Sequence, residues 1–201
     1  MIIGLFNKLF GSSQTAEQTA NSPTHDNGVV INGIKWATRN IGAFGTFVAR
    51  PEDAGLLYQW NRRQGWTAIG EKVSGWNNSL PIGTTWETLN APCPTGWRIP
   101  TPQELQSLVD AGSIWTTQNG VNGRLFGTAP NQIFLPAIGM RGGDDSVLHF
   151  VNENGFCWSN AQGGSEFAYF LAFGNNGRFG ENIRVDYGSR AFGLSIRCVA
   201  N

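Results

Sequence analysis

Four side chains able to do acid–base or nucleophilic chemistry fall within six residues: Asp144, Asp145, Ser146 and His149, in "DDSVLH". A carboxylate, a hydroxyl and an imidazole are the parts of a hydrolytic triad, but a triad is defined by geometry in space rather than by closeness in sequence. The G-x-S-x-G turn that raises a nucleophilic serine above a sheet is absent from the chain. His149 therefore reads as an ordinary surface or half-buried histidine, and His25 lies in a polar stretch. "RGGDDS" (141–146) with "NEN" (152–154) supplies hard oxygen ligands of the kind Ca²⁺ takes, yet the D-x-D-x-D-G loop is missing. A solvated acidic turn is expected there, and no metal site.

Cysteine gives the remaining chemistry. Cys93, Cys157 and Cys198 are an odd set, so at least one thiol stays unpaired. A nucleophilic thiol needs a base or cation to hold it as thiolate, and no histidine is visibly placed to do that for Cys157. Neither a catalytic residue nor a cofactor is expected.

The elements that would position any site belong to a lightly charged chain. Of its 201 residues 14% are charged, against about 25% in an average soluble domain. Net charge is zero, and Arg62-Arg63 is the nearest thing to a basic cluster, so nucleic acid is not an expected partner. No apolar run approaches the roughly 20 residues of a membrane-spanning helix. The 27 glycines and eight tryptophans indicate a loop-rich domain packed on aromatics.

Residues 1–10 place Ile2, Leu5, Phe6, Leu9 and Phe10 near helical spacing, an amphipathic helix that is either a frayed leader or a docking or oligomerisation peptide. It has no basic region ahead of its apolar one, so it does not read as a signal peptide. Residues 11–27 read as a flexible linker, and the folded domain is expected to span 28–201. Asn32-Gly33, between Val30-Ile31 and Ile34, marks a hairpin. In "IPTPQELQSLVDAGS" Thr101 is an N-cap, Pro102 begins the helix, Glu104 completes a capping box and Gly112 ends it. Leu105, Leu108 and Val109 form its buried face. Short strands are expected at 55–61, 123–128, 132–139, 156–160, 167–174 and 193–199, and a long irregular region pinned by Trp66, Trp76 and Trp86 at 64–92. One helix among many short strands is an α+β or mostly-β domain.

Three stretches in order, "GVVINGIKWATRNIG" with "EDAGLLYQWN", "APCPTGWRIPTPQELQSLV", and "GFCWSN…GLSIRCV", closely resemble the Fibrobacter major paralogous domain family, found in surface and secreted proteins of gut bacteria and their phages. The resemblance covers about residues 28–201. It implies a C-type-lectin-like fold with paired terminal strands and long loops that present a ligand. It also implies that Cys93 and Cys198 are disulfide-bonded neighbours, leaving Cys157 free. The Glu-Pro-Asn and Gln-Pro-Asp triplets of calcium-dependent sugar binding are absent.

Some members of this broad fold group are variable proteins of diversity-generating retroelements, whose 3′ coding ends are randomised at adenines. An AAC codon randomised in this way never yields Lys, Glu, Gln, Trp or Met. Residues 167–199 contain no Lys, Gln, Trp or Met and a single Glu, Glu181. The resemblance thus points to a variable region at 155–195 and to a non-enzymatic binding protein, a receptor-binding or adhesin type displayed on a virion or bacterial cell surface. Its partner would be a protein or glycan on a cell surface, with residues 1–10 available for a homo-oligomer or display partner. Expected contact residues are Phe156, Phe170, Ala172, Gly174, Asn176, Arg178, Phe179, Arg184, Asp186, Tyr187, Arg190 and Phe192, clustered on one solvent-facing surface and rich in the aromatic and small polar types of adaptable paratopes. Two alternatives stay open: an undiversified carbohydrate-binding domain of the same fold, and an oxidoreductase of the formylglycine-generating type using Cys157 and Cys198.

Overall fold

The computed structural model describes residues 22–175 and 183–201. The N-terminal helix expected over 1–10 and most of the linker lie outside the described residues. The chain is mostly β with one short helix. β1 (Val29–Ile31) and β2 (Ile34–Trp36) turn at Asn32 and Gly33, whose φ values of 50° and 80° are the left-handed pair that a two-residue hairpin requires. β3 (Leu56–Gln59) pairs with β4 (Gly65–Thr67), and β5 (Trp97–Arg98) precedes the helix α1 (Pro102–Asp110). α1 starts as its sequence dictates. The Thr101 side chain accepts from the Glu104 backbone N–H while the Glu104 carboxylate accepts from Thr101, and Arg98 grips that carboxylate through two nitrogens at 2.6 and 2.8 Å. Leu105 and Leu108 are fully buried, and Val109 packs beside them at the edge of the core.

A meander follows, β6 (Ser113–Gln118), β7 (Val121–Thr128) and β8 (Asn131–Pro136). β9 (Met140–Arg141) pairs with β10 (Leu148–His149). β11 (Asn154–Gln162), β12 (Phe167–Gly174) and β13 (Arg184–Ser189) form a three-stranded sheet with β13 at its edge. β14 (Gly193–Leu194) joins β3 to β9, and β15 (Val199–Ala200) lies between β2 and β5. The segment read as one strand over 193–199 is thus split. β14 and β15 serve different sheets, and Ser195 between them makes a parallel bridge to Cys157.

The β11–β13 sheet is the middle layer, buried on both sides. Side chains alternate across a strand, so the residue number decides which core each one enters. Even positions Phe156, Trp158, Phe170 and Ala172 join Tyr58, Trp60, Leu194 and Ile196 in one cluster. Odd positions Cys157, Leu171 and Phe173 join Leu105, Leu108, Phe126 and Val199 in the other. Trp36, Trp60 and Trp158 are buried, the last two donating their indole N–H to Ser159 O and Tyr58 O. Trp97 is only half-buried, its ring edge-on to Phe47.

Folded structure begins before Gly28. Asp26 is buried and accepts from the backbone N–H groups of Gly28 and Thr38, the Thr38 hydroxyl and Arg39 Nε. A boundary drawn where apolar residues begin misses this anchor because it is polar.

Candidate functional site

Among the described residues, those expected to form one outward surface do not. Phe156, Phe170, Ala172 and Gly174 are core residues, because β11 and β12 place their even-numbered side chains toward the tryptophan-rich cluster. Phe156 and Phe170 meet edge-on there, centroids 5.9 Å apart. A Cβ on Gly174 would fall 2.1 Å from the amide nitrogen of the buried Asn154, so a larger residue would have to displace that side chain. Arg190 is buried as well. It donates to the carbonyls of Phe167, Pro81, Gly83 and Gly164 and to Gln162 Oε1, and its guanidinium lies 4.5 Å above the Trp60 ring. Asn176, Arg178 and Phe179 lie outside the described residues.

Arg184, Asp186, Tyr187 and Phe192 keep some exposure, but the β13 pleat divides them. Arg184 and Asp186 share one face as a 2.8 Å ion pair. Phe192 is half-buried on that side, against Gly188. Tyr187 points from the other face and is 57% exposed.

Around Tyr187 the structure assembles a surface that sequence reasoning missed. Tyr169 lies directly opposite it on β12, and Phe167 is next on the same face. The Tyr187 ring stands edge-on to both, with centroids 6.1 Å from Tyr169 and 5.9 Å from Phe167. Farther along this face Leu171 and Val185 pass under α1, which covers them. The step between helix and sheet is a groove of about 400 Å³ lined by Pro102, Gln103, Gln106, Ala161, Tyr169 and Val185. Its walls carry amides, an aromatic ring and aliphatic carbon, and no ionised side chain. The capping box and the Arg98–Glu104 pair hold the helix wall in place.

The features that suggested catalysis are not arranged for it. His149 stands 3.8 Å from Asp145, both substantially exposed, while Ser146 is buried with its hydroxyl between the Val73 N–H and C=O. Among the described residues no three His, Cys, Asp or Glu side chains converge as a metal set. Cys93 and Cys198 are joined in a disulfide, Cα atoms 6.1 Å apart. Cys157 is buried, 3.1 Å from Ser195 Oγ, and burial pushes its pKa up despite that hydrogen bond and the nearby Arg197 charge. A buried, protonated thiol is a poor nucleophile.

Comparison with protein-family models, with curated proteins and with solved structures returns no match.

Proposed function

We propose that this protein is a non-enzymatic binding protein on a C-type-lectin-like scaffold, and that it recognises a cell-surface protein or glycan through the outer end of β12 and β13. The observation that carries the reading is the aromatic triad Phe167, Tyr169 and Tyr187: three rings exposed or half-exposed on a sheet whose β11 and β12 side chains are otherwise mostly buried. Such rings give rigid contact area with little entropy to lose on binding. All three rings fall within residues 155–195, the stretch read as variable. The scaffold assignment draws support from the pairing of β2 with β15 and from the Cys93–Cys198 bond. Display as a receptor-binding or adhesin protein, with a diversified 3′ coding end, completes the proposal.

The carbohydrate-binding alternative has one feature in its favour. The groove beside Tyr169 offers the Gln103 and Gln106 amides next to an aromatic ring with no ionised group, a lining suited to a neutral sugar ring. The oxidoreductase alternative has no comparable feature.

The test is a binding survey of the full chain on arrayed glycans and on cell-surface proteins, repeated with Tyr187→Ala and Phe167→Ala. The expected result is a ligand set lost in both variants while their melting temperatures hold. Ligands retained in both variants would remove this surface from the proposal. For diversification, the decisive observation is a near-copy of the 3′ coding end differing only at adenines.

A further inference from the structure

We infer a second binding site, on the loop formed by residues 79–90 and outside the β12–β13 surface: an anchor for a protein segment that presents a carboxylate beside a branched apolar side chain. This loop is irregular yet rigidly held from behind. Three consecutive carbonyls, those of Pro81, Ile82 and Gly83, accept hydrogen bonds from the interior, the outer two from Arg190 and the middle one from Asn61 Nδ2. Asn61, itself buried, also accepts from Glu87 N–H at 2.8 Å and Asn90 Nδ2 at 3.3 Å, which ties down the far end. With its backbone committed inward and Trp86 filling the core, the loop turns three aliphatic side chains outward. Ile82 is 83% exposed, Leu89 is 80% exposed and Leu80 is 40% exposed. Apolar side chains on a fixed loop are pre-organised contacts, because docking costs side-chain ordering but little backbone ordering.

Beside them Arg62 is the polar anchor. Its Nη2 donates to the Ser79 carbonyl and hydroxyl, while its Nε is buried with no hydrogen-bond partner. Among the described residues no carboxylate lies within ion-pair distance of it. Glu87 shares the pocket but spends its contacts on Asn90 and stays beyond that distance. Nε is closed to solvent and out of a ligand's reach, so a bound acceptor with negative charge would pair with Nη1, which has no hydrogen-bond partner among the described residues. The pocket that Arg62 lines with Asn61, Leu80, Pro81, Ile82 and Asn90 has a volume of about 320 Å³, room for a carboxylate and one aliphatic side chain.

The experiment titrates the full chain with N-acetyl-isoleucine and, separately, with its uncharged isostere N-acetyl-isoleucinamide, following the Arg62 Nε–H and Ile82 methyl signals by NMR. Saturable shifts of both signals with the acid are expected, and about tenfold weaker binding of the amide, the loss of one charge-assisted hydrogen bond. Arg62→Gln should erase the preference for the acid. Ile82→Ser, at a position too exposed to disturb folding, should weaken both ligands. Tyr187→Ala should leave the titration unchanged, which separates this site from the β12–β13 surface. Equal binding of acid and amide, or no shift up to the solubility limit, would overturn the inference. So would N-acetylneuraminic acid moving the Arg62 signal without the Ile82 methyls, which would make the ligand an acidic sugar instead of a protein.

Discussion

Tyr169 and Tyr187 are directly opposed residues of adjacent antiparallel strands, and their rings meet edge-on with centroids 6.1 Å apart. Cross-strand aromatic pairs of this kind contribute about 0.2–1 kcal/mol, too little for them to be structural supports. Tyr187→Ala should therefore lower stability by at most about 1 kcal/mol in urea denaturation. Its effect on ligand binding should be far larger.

Arg190 should behave in the opposite way. Removing its guanidinium strips donors from the carbonyls of Phe167, Pro81, Gly83 and Gly164 at once. Arg190→Met should destabilise the fold by about 1–3 kcal/mol for each carbonyl left buried without a donor. Amide hydrogen exchange should quicken around both 81–84 and 163–167, since one side chain holds the two loops. Exchange confined to one of them would show that they are held independently.

Asp26 sets an acid limit on stability. Burial alone would raise its pKa, but the hydrogen bonds from Thr38, Gly28 and Arg39 outweigh burial and hold it below the ordinary aspartate value of 3.8. A carboxyl whose folded-state pKa is depressed contributes stability above its unfolded pKa and loses it as pH falls through the folded value. Melting temperature should thus fall below about pH 4. Asp26→Asn should start lower at neutral pH and show a shallower decline in acid.

The thiols give a count that is easily checked. Native protein should resist alkylation, denatured protein should take one label at Cys157, and denatured, reduced protein should take three. Cys93 and Cys198 are 105 residues apart. On the chain-entropy treatment Cys93→Ser should cost about 4–5 kcal/mol. Labelling of Cys157 in the native state would contradict its burial.

How far the sequence could be read depended on the kind of signal each element leaves. The hairpin at Asn32-Gly33 and the capped helix at Thr101 are specified by local backbone chemistry, and both appear where their residues place them. The central sheet is specified by burial on both sides. "FAYFLAFG" is a continuous apolar run with no polar position to show which parity faces out. Choosing Phe170, Ala172 and Gly174 as contacts picked the even face. The odd face carries Phe167 and Tyr169 at the start of the strand, and a shift of one residue moves a whole set of side chains through the sheet. β13 looked like a loop because Gly, Asp and Ser dilute it, yet as an edge strand it needs a ladder on one side only. Arg190 was misplaced for a related reason. Arginine is seldom found buried, and only folding shows that loop carbonyls converge around it.

The place of β15 between β2 and β5 has a consequence for the order of assembly. β2 is made early in synthesis, yet its partner on that side is Val199, which is fully buried, and Ala37 donates its N–H to the Cys198 carbonyl. The sheet that holds the first strands stays open until nearly the whole domain has left the ribosome. Closure across so long a chain is slow, because the loop entropy is lost before the contacts repay it. Folding should therefore begin in the β6–β8 meander, whose contacts are local, and finish in a late step that brings together the two ends of the domain. A chain shortened by a few residues at its C-terminus would keep nearly all its composition and still be unable to complete that step.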